Sequence, residues 1–258
     1  MYDTIAPYIP LIIPAFLLLD YVVQKRRYTK TRFWRTRALA VTVAIFFWAG
    51  EVATFWANLL GDYHLFDLSA LSLVGEIAIG ILVYQLLHYW YHRAVHKYDW
   101  MWKGFGHQLH HSAESLDAWG AHYLHPLDAA MFTTWGSLVF VPLLGLSMEA
   151  TVISAVFLTF NGMFQHANIA TPHWLGYLIQ RPESHNIHHA RGVHRYNYAD
   201  LPLIDMLFGT FRNPRKLDAT ECGFYDGAST RIPEMLIGRD VSTPREPRST
   251  NGSLASSA

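Results

Sequence analysis

The sequence holds one cysteine, Cys222, in 258 residues. That excludes an internal disulfide and any thiolate metal cluster. Charge is scarce as well: 16% of residues are charged, where a soluble domain carries about a quarter. Twenty bases balance twenty acids, so net charge marks the chain for no nucleic acid. There is no glycine-rich dinucleotide fingerprint at a strand–helix junction and no HExxH helix. What the chain has instead is hydrocarbon and histidine, at 51% hydrophobic residues and 15 histidines.

The apolar runs set the fold class. Ile5 to Gln24, Ala38 to Leu60 and Leu71 to about Tyr91 each read as a membrane helix of about 20 residues, long enough to cross a core of about 30 Å. Leu127 to Phe164 is too long for one span and breaks at "GLSMEA" (145–150), so it reads as a helical hairpin. The expectation is an all-α integral membrane bundle of four to five spans, with a cytoplasmic helical cap carrying a histidine-rich dimetal site. Three regions follow: N-terminal helices over 1–70, a domain over 71–216 that holds every histidine but His64, and a C-terminal segment over 217–258. The Ser/Pro/Thr-rich stretch from about 241 is expected to be disordered. Lys25, Arg26, Arg27, Lys30, Arg32, Arg35 and Arg37 follow the first span with no acid among them, whereas 61–70 and 145–150 have no base. The positive-inside rule then puts 25–37, 92–126 and everything after 165 on the cytoplasmic side. Every histidine except His64 lands on that face. Glu51 and Glu76 fall inside expected spans and read as protonated groups packed within the bundle.

The histidines repeat at helical spacings. His88, His92 and His96 are four apart and share one helix face. "HQLHH" (107–111) and "HNIHH" (185–189) each place three imidazoles at i, i+3 and i+4, a compact patch. Neutral imidazole binds first-row transition metals. His92, His96, His107, His110, His111, His185, His188 and His189 make eight candidate ligands, twice what one tetrahedral ion takes, so two metals are expected. Such a pair suits redox chemistry with O2 better than hydrolysis, which typically wants bridging carboxylates. Asn197 and Asp205 are candidates to accept the second ring proton of a ligand, or alternatively to form a turn or cap. His88 reads as a hydrogen-bonded helix histidine beside His92.

"HRAVH" (92–96), "HQLHHS" (107–112) and "HNIHHA" (185–190), with "HPLD" (125–128), "FQHANI" (164–169), "NY" (197–198) and "DMLFGTF" (205–211), resemble the histidine boxes and flanking signatures of the fatty acid hydroxylase/sterol desaturase superfamily. Ala199, Ile204 and Tyr123 or His122 depart from its usual pattern without touching the boxes. The resemblance implies His125 and His166 as further ligands, two iron ions as cofactor, and O2-dependent hydroxylation or desaturation of a lipid such as a fatty acyl chain or sterol. Electrons would come from a separate cytochrome b5, ferredoxin or reductase, in a bacterial inner membrane or the endoplasmic reticulum. The rival readings are a histidine-rich metal transporter, which needs imidazoles through the bilayer midplane, and a zinc-dependent membrane hydrolase, which needs an acid within a box.

Overall fold

The structure is a computed structural model that describes residues 9–215 and 221–245. Among the described residues there are ten α-helices and no strand: α1 (Ile9–Val23), α2 (Trp34–Leu60), α3 (Leu73–Lys97), α4 (Asp99–Gly104), α5 (His107–His111), α6 (Pro126–Leu138), α7 (Met148–His166), α8 (Pro182–His189), α9 (Pro202–Leu207) and α10 (Ile232–Leu236). Two of them, α2 and α3, are long and apolar enough to cross a membrane. Only 11% of the most apolar window of α2 is buried, and Phe47, Phe55 and Leu59 point outward from it. A soluble core helix would bury such side chains. Of the expected first span, α1 covers the described part, and residues 5–8 lie outside the described residues.

The 127–164 stretch is a hairpin. Pro126 opens α6 at its first position, where its missing N–H costs nothing. The helix runs on through a π-helical turn, Val139–Leu143, the chain reverses, and α7 returns. Ser147 caps α7 by accepting from the Ala150 N–H at 3.2 Å. Glu76 in turn accepts from the Ser147 N–H at 2.6 Å and from its hydroxyl at 3.1 Å. Glu76 is buried, as expected of a group packed within the bundle, but α3 begins at Leu73, so it sits in the first turn, beside the hairpin tip. Glu51 differs too, lying on the exposed face of α2 rather than inside the bundle.

The helix ends sort into two poles. At one, the 61–72 connector hydrogen-bonds the hairpin tip through Leu65, Phe66 and Leu68. At the other, the basic connector after α1 is bolted to the end of α7: Asn168 accepts from the Arg26 N–H and donates to the Arg26 carbonyl, both at 2.8 Å. The start of α2 joins the same pole through a buried cluster of Trp34, Ala38, Leu109, Tyr123, Met235 and Val241. Val241, where the disordered tail was expected to begin, is fully buried, and its N–H donates to Gln108. The remainder of that tail, 246–258, lies outside the described residues.

Candidate metal centre

Four helices carry the clustered imidazoles to the second pole: the last turns of α3 and α7, and the two short helices α5 and α8. Gly106 makes the approach of α5 possible. Its φ is +74°, and a Cβ there would collide with the ring of His125, so only glycine fits.

The imidazoles form two groups. His92, His96, His107, His111 and His188 converge in one; His110, His166, His185 and His189 converge in the other. The groups share a wall where the rings of His111 and His189 stack at 4.1 Å. In the four-membered group the Nε2 of His166 lies 3.0 Å from that of His110, 3.2 Å from His189 and 3.1 Å from His185. Four nitrogens about 2.05 Å from a tetrahedral ion lie about 3.3 Å apart, so the spacing fits.

The second ring nitrogens decide what these contacts mean. His92 Nδ1 meets the Tyr198 carbonyl at 2.7 Å and His107 Nδ1 meets Asp128 Oδ2 at 2.7 Å. With one proton per ring, both Nδ1 atoms donate and both Nε2 atoms keep a bare lone pair. Those two Nε2 atoms face each other at 3.1 Å. Two lone pairs at that distance repel unless a cation lies between them. Likewise, His188 donates from Nδ1 to the Tyr196 carbonyl at 2.7 Å, and the buried Nε2 atoms of His111 and His188 have no hydrogen-bond partner. Burial above all, with the neighbouring imidazoles adding to it, holds His110, His111, His185, His188 and His189 well below the ordinary histidine pKa. They are neutral, the form that ligates.

Nine of the ten expected ligands are therefore brought together, and His125 is not. It caps α6, its Nδ1 accepting from the Leu127 N–H at 3.1 Å, which leaves Nε2–H to donate to the Leu236 carbonyl at 3.3 Å. Both nitrogens are taken by backbone. Asn197 and Asp205 touch no imidazole either. Asp205 accepts from the Tyr198 and Ala199 N–H groups and the Thr210 hydroxyl, while Asn197 ties Ser184 to Arg212. They shape the 196–199 loop whose carbonyls hold His92 and His188. His88 bonds the Tyr84 hydroxyl at 3.3 Å and stacks on Phe132, next to His92 and outside both groups. His64 lies at the opposite pole, against Gly145.

Two participants were not singled out from the sequence. Asp128, fully buried, orients His107 and accepts from Tyr91. His194 places its Nδ1 3.1 Å from that of His111. A third feature is a cavity of about 620 Å3 that reaches His92, His107, His110, His166 and His185 and runs between α2, α3, α6 and α7. Its walls are apolar, with Ile45, Phe132, Phe140 and Leu158, and it is given width by Gly136, Ala155 and Gly162. Gly50, Thr54 and Met148 line it and are also exposed, so it opens sideways between α2 and α7.

Residues 77–210, just over half the chain, match the family model for fatty acid hydroxylase. The chain belongs to the fatty acid hydroxylase family. Relatives of this family member include sphinganine C4-monooxygenase 1 of Arabidopsis thaliana, 25% identical over 63% of this chain and 64% of its own length. Human alkylglycerol monooxygenase is 35% identical over 48% of this chain and 28% of its own. Ornithine lipid hydroxylase OlsE of Rhizobium tropici is 26% identical over 57% and 45%. The chain thus spans less than two thirds of each of these relatives. No solved structure matches it.

Proposed function

We propose that this chain is a membrane-bound, di-iron, O2-dependent hydroxylase of a lipid bearing a long hydrocarbon chain, reduced by a separate electron donor. The observation that carries this reading is the meeting of two nests of converging, largely buried imidazoles with the head of an apolar cavity. His92, His96, His107, His111 and His188 would hold one ion, and His110, His166, His185 and His189 the other. All-nitrogen donor sets suit iron, and the bare Nε2 atoms supply the fit. Iron there would supply activation of O2, so that one oxygen atom is inserted into an unactivated C–H bond to give the alcohol, while two electrons from the separate donor and two protons reduce the other to water.

The protein's own groups do the rest. Asp128 and the carbonyls of Tyr196 and Tyr198 fix three rings with Nε2 forward. The cavity takes up the alkyl chain, excludes water and admits substrate from the bilayer between α2 and α7. At its polar edge Asp200 is held by Gln85 and Gln165. The basic connector beside the nests supports a cytoplasmic site by the positive-inside rule, where a soluble or membrane-tethered reductant can reach it.

A transporter would need imidazoles along the bore, yet the far end of the cavity is lined by Phe140, Val141 and Met148. A hydrolase would need a carboxylate facing the nests. Of the two carboxylates near the nests, Asp128 stands behind His107, and Asp200 at the cavity edge has its oxygens taken by Gln85 and Gln165. The test is the purified protein reconstituted with iron, a reductant system and long-chain lipids under isotopically labelled O2. Label in a hydroxylated lipid is the expected result. Fewer than two irons per chain together with unlabelled product overturns the proposal.

A further inference from the structure

A second, smaller pocket of about 110 Å3 lies behind the nests, lined by the 26–29 connector together with Glu114, Arg191 and Cys222. Arg26 is 5% exposed. Its Nη1 donates to the Tyr28 hydroxyl at 2.8 Å, while its buried Nε and Nη2 have no hydrogen-bond partner. Arg191 donates both terminal nitrogens to Glu221 and Asp226, and its Nε is also buried without a partner. Leaving the donors of a permanently charged guanidinium unmet in a protein interior is costly. No described carboxylate makes up the loss. The nearby Glu114 spends both oxygens on Gly227 and Ser229, and Glu221 is paired with Arg191. Burial keeps the Tyr28 hydroxyl and the Cys222 thiol, pushed up to about 12, neutral, so neither supplies an anion.

We infer that this pocket binds a phosphate-type oxyanion, gripped by the spare N–H groups of Arg26 and Arg191, with Arg27 and Thr29 at its exposed mouth. Arginine's fixed fork of donors matches such an anion. The pocket is sized for one such group, which a lipid headgroup or a free phosphate could equally supply. Its position gives it leverage. Asn168, which clamps the Arg26 backbone, is two residues past His166, and Tyr28 accepts from Asn186 between His185 and His188. An anion there would brace the segments that carry both nests. The inference concerns binding alone and stands apart from the proposed hydroxylation.

The experiment uses the full chain purified in dodecyl maltoside, which contains no phosphate. Inorganic phosphate is titrated against chloride at constant ionic strength, and phosphatidic acid is added to the micelles in a parallel series. The expected result is a saturable rise in Tm of about 3 °C, lost in R26Q and R191Q and weakened several-fold in R27Q. A rise with inorganic phosphate alone supports the site with a free anion as its occupant; a rise with phosphatidic acid alone supports it with a headgroup. No rise above chloride in either series overturns the inference, as does an equal rise in R26Q. Should R26Q fail to fold, line broadening of the 31P signal of inorganic phosphate by the unaltered protein, reduced in R27Q, carries the same test, and an unbroadened signal overturns it.

Discussion

The five-histidine nest is braced from behind and the four-histidine nest is not. In the first, four rings have a partner on the second nitrogen: Asp128 for His107, the Tyr198 carbonyl for His92, the Tyr196 carbonyl for His188, and His194 for His111. In the second, only His166 has one, the carbonyl of Gly162 one turn back on its own helix. The Nδ1 atoms of His110, His185 and His189 are buried and unpartnered. Outer partners fix tautomer and ring direction and raise ligand basicity. One nest is therefore pre-oriented by the fold. The other relies on packing and on whatever it binds, so its ion should leave first and its loss of a ligand should be harder to absorb.

The largest expected effect comes from removing one ligand on each side. H189A leaves three donors in the four-membered nest, below tetrahedral coordination, so iron content should fall to roughly one ion per chain and turnover should vanish. H96A leaves four donors in the other nest and should retain both ions with weakened affinity. Iron analysis after gel filtration reads both. Equal losses would erase the contrast between the nests.

This contrast shows what a linear reading of the chain reaches. The spacing of His107, His110 and His111 on one helical stripe is a local property, so membership of a cluster is visible in the sequence. The division into five and four is not, because His188 and His189 are adjacent in the chain yet serve different nests. His125 was open to a better reading: a histidine before a proline at a helix start is an N-cap followed by the favoured first position, and that is how it behaves. The Tyr196 and Tyr198 carbonyls leave no trace, since backbone atoms carry no residue identity. They are aimed by a loop in which Tyr196 and Asn197 have φ of 71° and 49°. The cavity is equally hidden, being the joint outcome of small residues on different helices. The all-helical class was legible from the apolar runs, while the start of α3 at Leu73, and with it the capping role of Glu76, needed the three-dimensional contacts.

The next effect in size concerns that loop. D205A strands the Tyr198 and Ala199 N–H groups and the Thr210 hydroxyl in a buried site, which costs about 3 kcal/mol of stability. The loop carries the acceptors for His92 and His188, so the braced nest should loosen toward the unbraced one. A fall in Tm with selective loss of one iron is the expected pair of readouts. A fall in Tm with both ions retained would mean that the braces do not govern affinity.

Replacing the carboxylate behind His107 is a milder change. D128N keeps the shape and an acceptor oxygen but removes the charge, and weakens the Tyr91 contact as well as the imidazole's basicity. About tenfold to a hundredfold loss of affinity in the braced nest is expected, measured by competition with a chelator, with the other nest unaffected. An equal loss in both nests would show that the shared His111–His189 wall couples them into one unit.

The smallest effect tests the least direct brace. His194 is held in contact with Trp102 and Phe224, with a φ of 42°, and meets His111 nitrogen to nitrogen. Burial pushes its pKa down to about 4, so near neutral pH the two rings share a single proton between those atoms. H194F keeps an aromatic ring there and removes both ring nitrogens, leaving His111 without its outer partner. Affinity in the braced nest should fall about threefold, within the low end for an outer partner, with Tm nearly unchanged. If H194F weakens the four-histidine nest instead, the stacked pair His111 and His189 transmits orientation across the wall, and the unbraced nest is being held through its neighbour.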